Sequence, residues 1–157
     1  STLGLSLYSL GRYDEAADLQ RNTLQAAQQA ESIDLSSTLV LANNLGMTLL
    51  GQGRYDEAAQ LLQNNLLHAR EAFGRENADT WAAADALGLA LHGQGKYKEA
   101  ETIHRETLTA KRKVLGERHS DTLSSVGNLC ISLQLQLDTV EPSEWRSLIE
   151  EAASLLQ

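Results

Sequence analysis

Gly11-Arg12-Tyr13-Asp14-Glu15-Ala16-Ala17 returns letter for letter as Gly53-Arg54-Tyr55-Asp56-Glu57-Ala58-Ala59. A variant, Gly95-Lys96-Tyr97-Lys98-Glu99-Ala100-Glu101, follows. Both steps are 42 residues. A constant step without insertion marks one duplicated structural unit, so the chain reads as a repeat array. Stacked repeats build extended surfaces, each unit leaning on the next.

Residues 38–74 show the unit best. Leu41, Ala42, Leu45, Gly46 and Leu49 recur at helical spacing and predict one buried stripe. Gly51 and Gly53 follow, and one of them is expected to supply a left-handed C-terminal cap. Tyr55 through Ala72 carries a second stripe of Ala58, Leu61, Leu62, Leu66 and Ala69, extended to Phe73. Asp56 and Glu57 fall in its first turn, where the helix dipole favours negative charge. The unit is helix, tight turn, longer helix.

Stepping by 42 aligns Leu3, Leu45, Leu87 and Leu129, and also Leu7, Leu49, Leu91 and Leu133. Gly4, Gly46 and Gly88 align with Cys130, and Ala16, Ala58 and Ala100 align in the second helix. Small residues at fixed points let two helix backbones approach closely. Tyr13, Tyr55 and Tyr97 are expected to wedge between neighbouring helices. The joints Gly74-Arg-Glu-Asn-Ala-Asp-Thr80 and Gly116-Glu-Arg-His-Ser-Asp-Thr122 match, with glycine ending one helix and Asp-Thr offered as the cap of the next. The array occupies residues 1–157 as one domain, with repeats near 1–37, 38–79, 80–121 and 122–157. The fourth is degenerate: Gln134-Leu-Gln-Leu137 replaces the Gly-x-Gly turn, and Pro142 opens a last amphipathic segment. That segment either caps the array or continues into further repeats.

The fold class is therefore all-α. Leu, Ala, Gln and Glu dominate, and 42% of residues are hydrophobic, enough for a buried core. The formal charge of −8 argues against nucleic acid as a partner, because phosphate neutralisation needs a basic surface. No apolar run is long enough to span a bilayer, so no membrane partner is expected. The single cysteine, Cys130, supports no disulfide framework and suits a cytoplasmic setting. The chain opens at Ser1 inside an apolar pattern, as a piece of a longer protein would. No metal-ligand spacing, P-loop, dinucleotide fingerprint or nucleophile elbow is found, so no catalysis, cofactor or metal is assigned.

Leu45-Gly46, Gly53, Tyr55, Glu57 and Ala58 stand at the spacings of the tetratricopeptide repeat, which the chain resembles from residue 1 to about 136. HEAT and armadillo units share a period in the forties but lack this turn signature. The long repeat of kinesin light chains is the better match. Its turn and joint are echoed by Gly95 to Glu101 and by Leu115-Gly-Glu-Arg-His-Ser-Asp-Thr122. The joint proline of that family is replaced by Ala78 and Ser120, and its late helix-two alanine by Thr23, Asn65 and Thr107.

The resemblance implies a right-handed α-α superhelix whose first helices line a concave groove. The unburied stripe of those helices falls at Leu5, Tyr8, Val40, Asn43, Met47, Leu50, Asp85, Leu89, His92, Ile131 and Gln134. A semi-apolar groove of this kind suits an extended peptide or partner helix, with Asn43 able to bond a peptide backbone. The bland alternative is that these residues fill the superhelix interior. No assigned groove position is basic, so clamping of a C-terminal carboxylate is not expected, and Asp85 favours a basic or neutral ligand. Lys111, Arg112, Lys113 and Arg118 form the single basic cluster, read as complementing a helix C-terminus, with an acidic partner as the alternative. The function expected is a protein-interaction module, an adaptor or signalling fragment. Self-association through exposed repeat ends, or assembly within a larger NTPase-containing protein, is the second reading.

Overall fold

A computed structural model of the chain describes residues 12–29, 34–137 and 139–155. Among these there are seven helices and no strand: α1 (Tyr13–Gln29), α2 (Leu35–Gly51), α3 (Tyr55–Phe73), α4 (Ala78–Gly93), α5 (Tyr97–Leu115), α6 (Ser120–Gln136) and α7 (Pro142–Leu155). Each helix packs on its sequence neighbours, and α2, α4 and α6 also touch in series. The helices that open a unit thus form one layer, and the second helices lie over the seams between them.

The stripes superimpose in space as they do in sequence. Leu45, Leu87 and Leu129 are buried, as are Leu49, Leu91 and Leu133, and Ala16, Ala58 and Ala100 have no exposed surface. Leu3, Leu7 and Gly4 lie outside the described residues. In the second-helix stripe Ala58, Leu62, Leu66 and Ala69 are buried and Leu61 is partly so. Phe73 departs from the expectation, remaining exposed at the last turn of α3.

Gly46 and Gly88 show why the small position is fixed. A Cβ on Gly46 would stand 2.6 Å from Leu62, and one on Gly88 would stand 2.2 Å from the His104 ring. The tyrosines are the second set of wedges. Tyr13 lies against Gly51 of the next unit and Tyr55 against Gly93, each too close to admit a Cβ there. Leu135 occupies the matching place in the last unit.

Gly53 and Gly95 supply the left-handed residue of each tight turn, with φ of 73° and 75°. The amides of Arg54 and Lys96 then close on the carbonyls of Leu49 and Leu91, satisfying otherwise orphaned helix ends. The joints are capped differently from the sequence expectation. Asn77 and His119, not the Asp-Thr pairs, cap α4 and α6, accepting from the amides of Asp79 and Asp121. Asp34 caps α2 in the same way through the Ser37 amide. The Thr80 hydroxyl instead turns back to the Gly74 carbonyl.

Candidate functional site

The candidate groove row is carried by α2, α4 and α6. Val40 is 48% exposed, Leu89 38% and Ile131 46%. Leu89 and Ile131 are the same register position one repeat apart. Met47, which completes that register, is half-buried against the core, and Leu50 behaves alike. Gln134 is exposed and Asn43 half-buried, its Oδ1 enclosed without a hydrogen-bond partner. Leu5 and Tyr8 lie outside the described residues. The structure thus gathers the other nine onto three adjacent helices.

Two of the nine are engaged internally. Asp85 accepts from Lys111 Nζ at 2.8 Å and from Asn128 Nδ2 at 3.3 Å. His104 Nδ1 stands 3.6 Å from the same carboxylate, too far for a hydrogen bond but close enough to act on its charge. Burial pushes the Asp85 carboxyl up, yet His104 and Lys111 outweigh it and hold it below its ordinary value. The carboxylate is therefore already matched by a buried cation. The reading of Asp85 as a ligand-facing negative charge meets this competition directly.

His92 Nε2 bonds Ser132 Oγ at 2.8 Å. Since that hydroxyl donates to the Asn128 carbonyl, the imidazole N–H is the donor. Burial, with a smaller contribution from His104, lowers His92 to about 4. It is a neutral hydrogen-bond donor at physiological pH.

The basic cluster of the sequence disperses in space. Lys111 turns inward, 5% exposed, to Asp85, which no helix-end argument anticipates. Arg112 pairs with Glu117 and Lys113 with Glu76, while Arg118 is exposed. Cys130 is half-buried, and burial raises its thiol pKa. Among the described residues no group of His, Cys, Asp and Glu could hold a metal ion. None of their helices is long and apolar enough to cross a membrane.

Sequence reasoning missed the clefts on the opposite side, where consecutive second helices stand apart over a first helix. One of about 420 Å³ lies between α3 and α5 above the start of α4, with Trp81 and Ala84 among its lining residues. Another of about 440 Å³ continues the same seam over Leu87 and Leu91. A third lies between α1 and α3 over Leu45 and Leu49. The signal for them was available only as a comparison of rim residues between repeats.

An array of paired helices with this turn, this wedge and this layer order defines an α-solenoid built from helical-pair repeats. The tetratricopeptide repeat family model matches residues 1–64 and 37–113, and the chain belongs to that family. No curated protein matches the sequence. The solved structure of BtubC (BKLC) from P. vanneervenii is similar, with a TM-score of 0.77 and 21% identity over 98% of this chain. The chain spans 59% of that protein. The nearly identical kinesin light chain TPR-like repeats from Podosopora anserina are similar too, with a TM-score of 0.75 and 17% identity, covering 99% of this chain and 92% of that one. A singly substituted form of those repeats gives a TM-score of 0.76 and 21% identity, covering 98% and 71%. The fold is that of long, kinesin-light-chain-type repeats, generally a scaffold for protein–protein interaction.

Proposed function

We propose that this chain is a non-catalytic interaction module that holds an extended peptide or a partner helix along the layer formed by α2, α4 and α6. The observation that carries the reading is the pair Leu89 and Ile131. Large apolar side chains stay in water at one register of two successive units, where the structural register on the other face is fully buried. An apolar row flanked by Asn43 and Gln134 offers both anchoring area and backbone hydrogen bonding.

A peptide selected on the intact chain from a random display library provides the test. Leu89→Glu with Ile131→Glu should weaken its binding by about tenfold or more while helicity is retained. Binding unchanged in that variant, measured by fluorescence anisotropy, refutes the groove assignment. The pair Asn43→Glu with Leu89→Glu probes the neighbouring turn in the same way.

Self-association is the second reading, favoured by Trp145 and Ile149. They sit one turn apart on the outer side of α7, 44% and 54% exposed. Light scattering over a concentration series separates the two, because a strictly monomeric chain removes this option.

A further inference from the structure

We infer that the cleft between α3 and α5 is a second docking site, taking an acidic polypeptide segment that places an apolar side chain over Trp81. The floor is apolar because its polar groups are already used. Trp81 is 7% exposed, its indole N–H donating to the Arg75 carbonyl at 2.8 Å. The Thr80 hydroxyl donates to the Gly74 carbonyl and the Thr107 hydroxyl to that of Ile103. The remaining floor is methyl groups and the indole face, with Ala84 and Ala110 beside it.

The rim is cationic in a strongly acidic chain. Arg70, Arg75, Arg105 and Lys113 line it against only Glu76 and Glu106. Arg70 and Arg75 share one oxygen of Glu106, at 2.9 and 3.4 Å, and Arg70 Nε is enclosed without a partner. Two guanidiniums on one carboxylate leave a cation to spare, and planar guanidinium forks match incoming carboxylates. Lys113 is paired with Glu76 at the rim and Arg105 with Glu101 and Glu151 outside the cleft, so the spare charge is that of the Arg70 and Arg75 pair.

Repeat arithmetic shows that the fold does not require this rim. The residues matching Arg70, Arg75, Arg105 and Lys113 one unit earlier are Gln28, Ile33, Gln63 and Glu71. One unit later they are Arg112, Glu117, Ser147 and Leu155. Trp81 is matched by Leu39 and Leu123. Helix-dipole complementation accounts for Arg70 and Lys113 near helix ends, but it gives no reason for an indole floor or for Arg75 beyond the helix. The indole and the full set of cations coincide in one unit alone.

The probe is an end-capped, fluorescein-labelled peptide of aspartate and glutamate around one central leucine, in low-salt buffer. Saturable anisotropy and a change in Trp81 emission, read in a Trp145→Phe background, are expected. Arg75→Glu with Lys113→Glu should weaken binding about tenfold or more, both residues being exposed and outside the helix packing. Arg75→Gln alone gives a milder loss with less risk to the fold. Raising salt, or replacing the central leucine by serine, should each weaken binding. No saturable binding overturns the site, as does binding indifferent to these substitutions. Loss in Leu89→Glu with Ile131→Glu but not in the rim variants places the peptide in the groove row and overturns the cleft. A dimer in sedimentation that the rim variants dissolve places a second copy in the cleft and overturns the assignment of an acidic segment.

Discussion

Gln94 Nε2 donates to Asp56 Oδ1 across 2.6 Å, joining the end of α4 to the first turn of α3. Gln52 makes the same bond to Asp14 one unit earlier, at the same distance. The sequence step of 42 residues is thus also a repeat of contacts between units, a side-chain clasp beside each tyrosine wedge. In the last unit the clasp breaks. Position 98, where the aspartate should stand, is lysine, and Gln136 bonds Glu101 at 2.8 Å instead.

Lys98→Asp should therefore restore the clasp. It also exchanges a cation for an anion in the first turn of α5, which the helix dipole favours. A gain of about 0.5–1 kcal/mol is expected from these two effects in an exposed setting. Urea unfolding with an unchanged slope would measure it. A variant less stable than the parent contradicts the clasp.

Three glycines should answer differently to alanine. Gly88→Ala drives a methyl into the buried His104 ring, and overpacking of that kind costs about 1–3 kcal/mol. Gly46→Ala meets Leu62 at 2.6 Å rather than 2.2 Å, a looser clash with an aliphatic side chain that shifts more readily than a ring, so its cost should be the smaller of the two. Gly127 lies within α6 with open space where a Cβ would go, so Gly127→Ala should stabilise by about 0.5–1 kcal/mol. Thermal unfolding of the three variants ranks them. Equal costs would remove close helix approach as the reason for the small positions.

The helical pairs, the left-handed glycines and the aligned leucines were legible because each follows from local spacing or from one residue's backbone freedom. The caps were not. Asn77 and Asp79 both offer a side-chain oxygen within two residues, and a sequence does not say where the first helical turn begins. His119 as a cap breaks the usual residue preference altogether. Asp85 and Lys111 are 26 residues apart, and only the packing of α4 on α5 brings them together. Val40, Leu89 and Ile131 stay exposed, as a helix face turned away from the buried stripe should, while what binds there belongs to chemistry outside the chain.

Acid should weaken the array through His92. Its folded pKa of about 4 lies below the ordinary 6.5, because burial, and then the charge of His104, disfavour the imidazolium. The unfolded chain consequently takes up the proton first. Stability is full above about pH 6.5 and falls as the pH drops towards about 4, below which both states are protonated. The ring faces His104 at 5.5 Å and Tyr97 at 6.3 Å, and its Nε2 meets Ser132. His92→Gln keeps a donor for Ser132 and removes the titration, so it should recover about 1 kcal/mol of the loss near pH ~4, allowing for solvent screening. Parallel stability profiles for the two proteins would contradict this role.

The pairing of Asp85 with Lys111 predicts a strong asymmetry between single and double substitutions. Lys111 is almost wholly enclosed, and Ala69 stands at its place one unit earlier, so the ion pair is an addition to the repeat. Lys111→Met leaves the carboxylate with Asn128 and without its buried ammonium, and should cost about 2–3 kcal/mol, moderated because Asp85 still reaches solvent. Asp85→Ala alone strands the ammonium and should cost at least as much, since Lys111 has less water around it. Asp85→Ala with Lys111→Met strands neither charge, and replacing both ends of a buried pair by apolar groups is often close to neutral. The double variant should therefore be more stable than either single one, which requires a coupling of more than about 2 kcal/mol in a double-mutant cycle. Because Asp85 is held below its ordinary pKa, its contribution in the parent is present above about pH 4 and fades as the carboxyl protonates. Additive single effects would show instead that the two side chains meet without depending on one another.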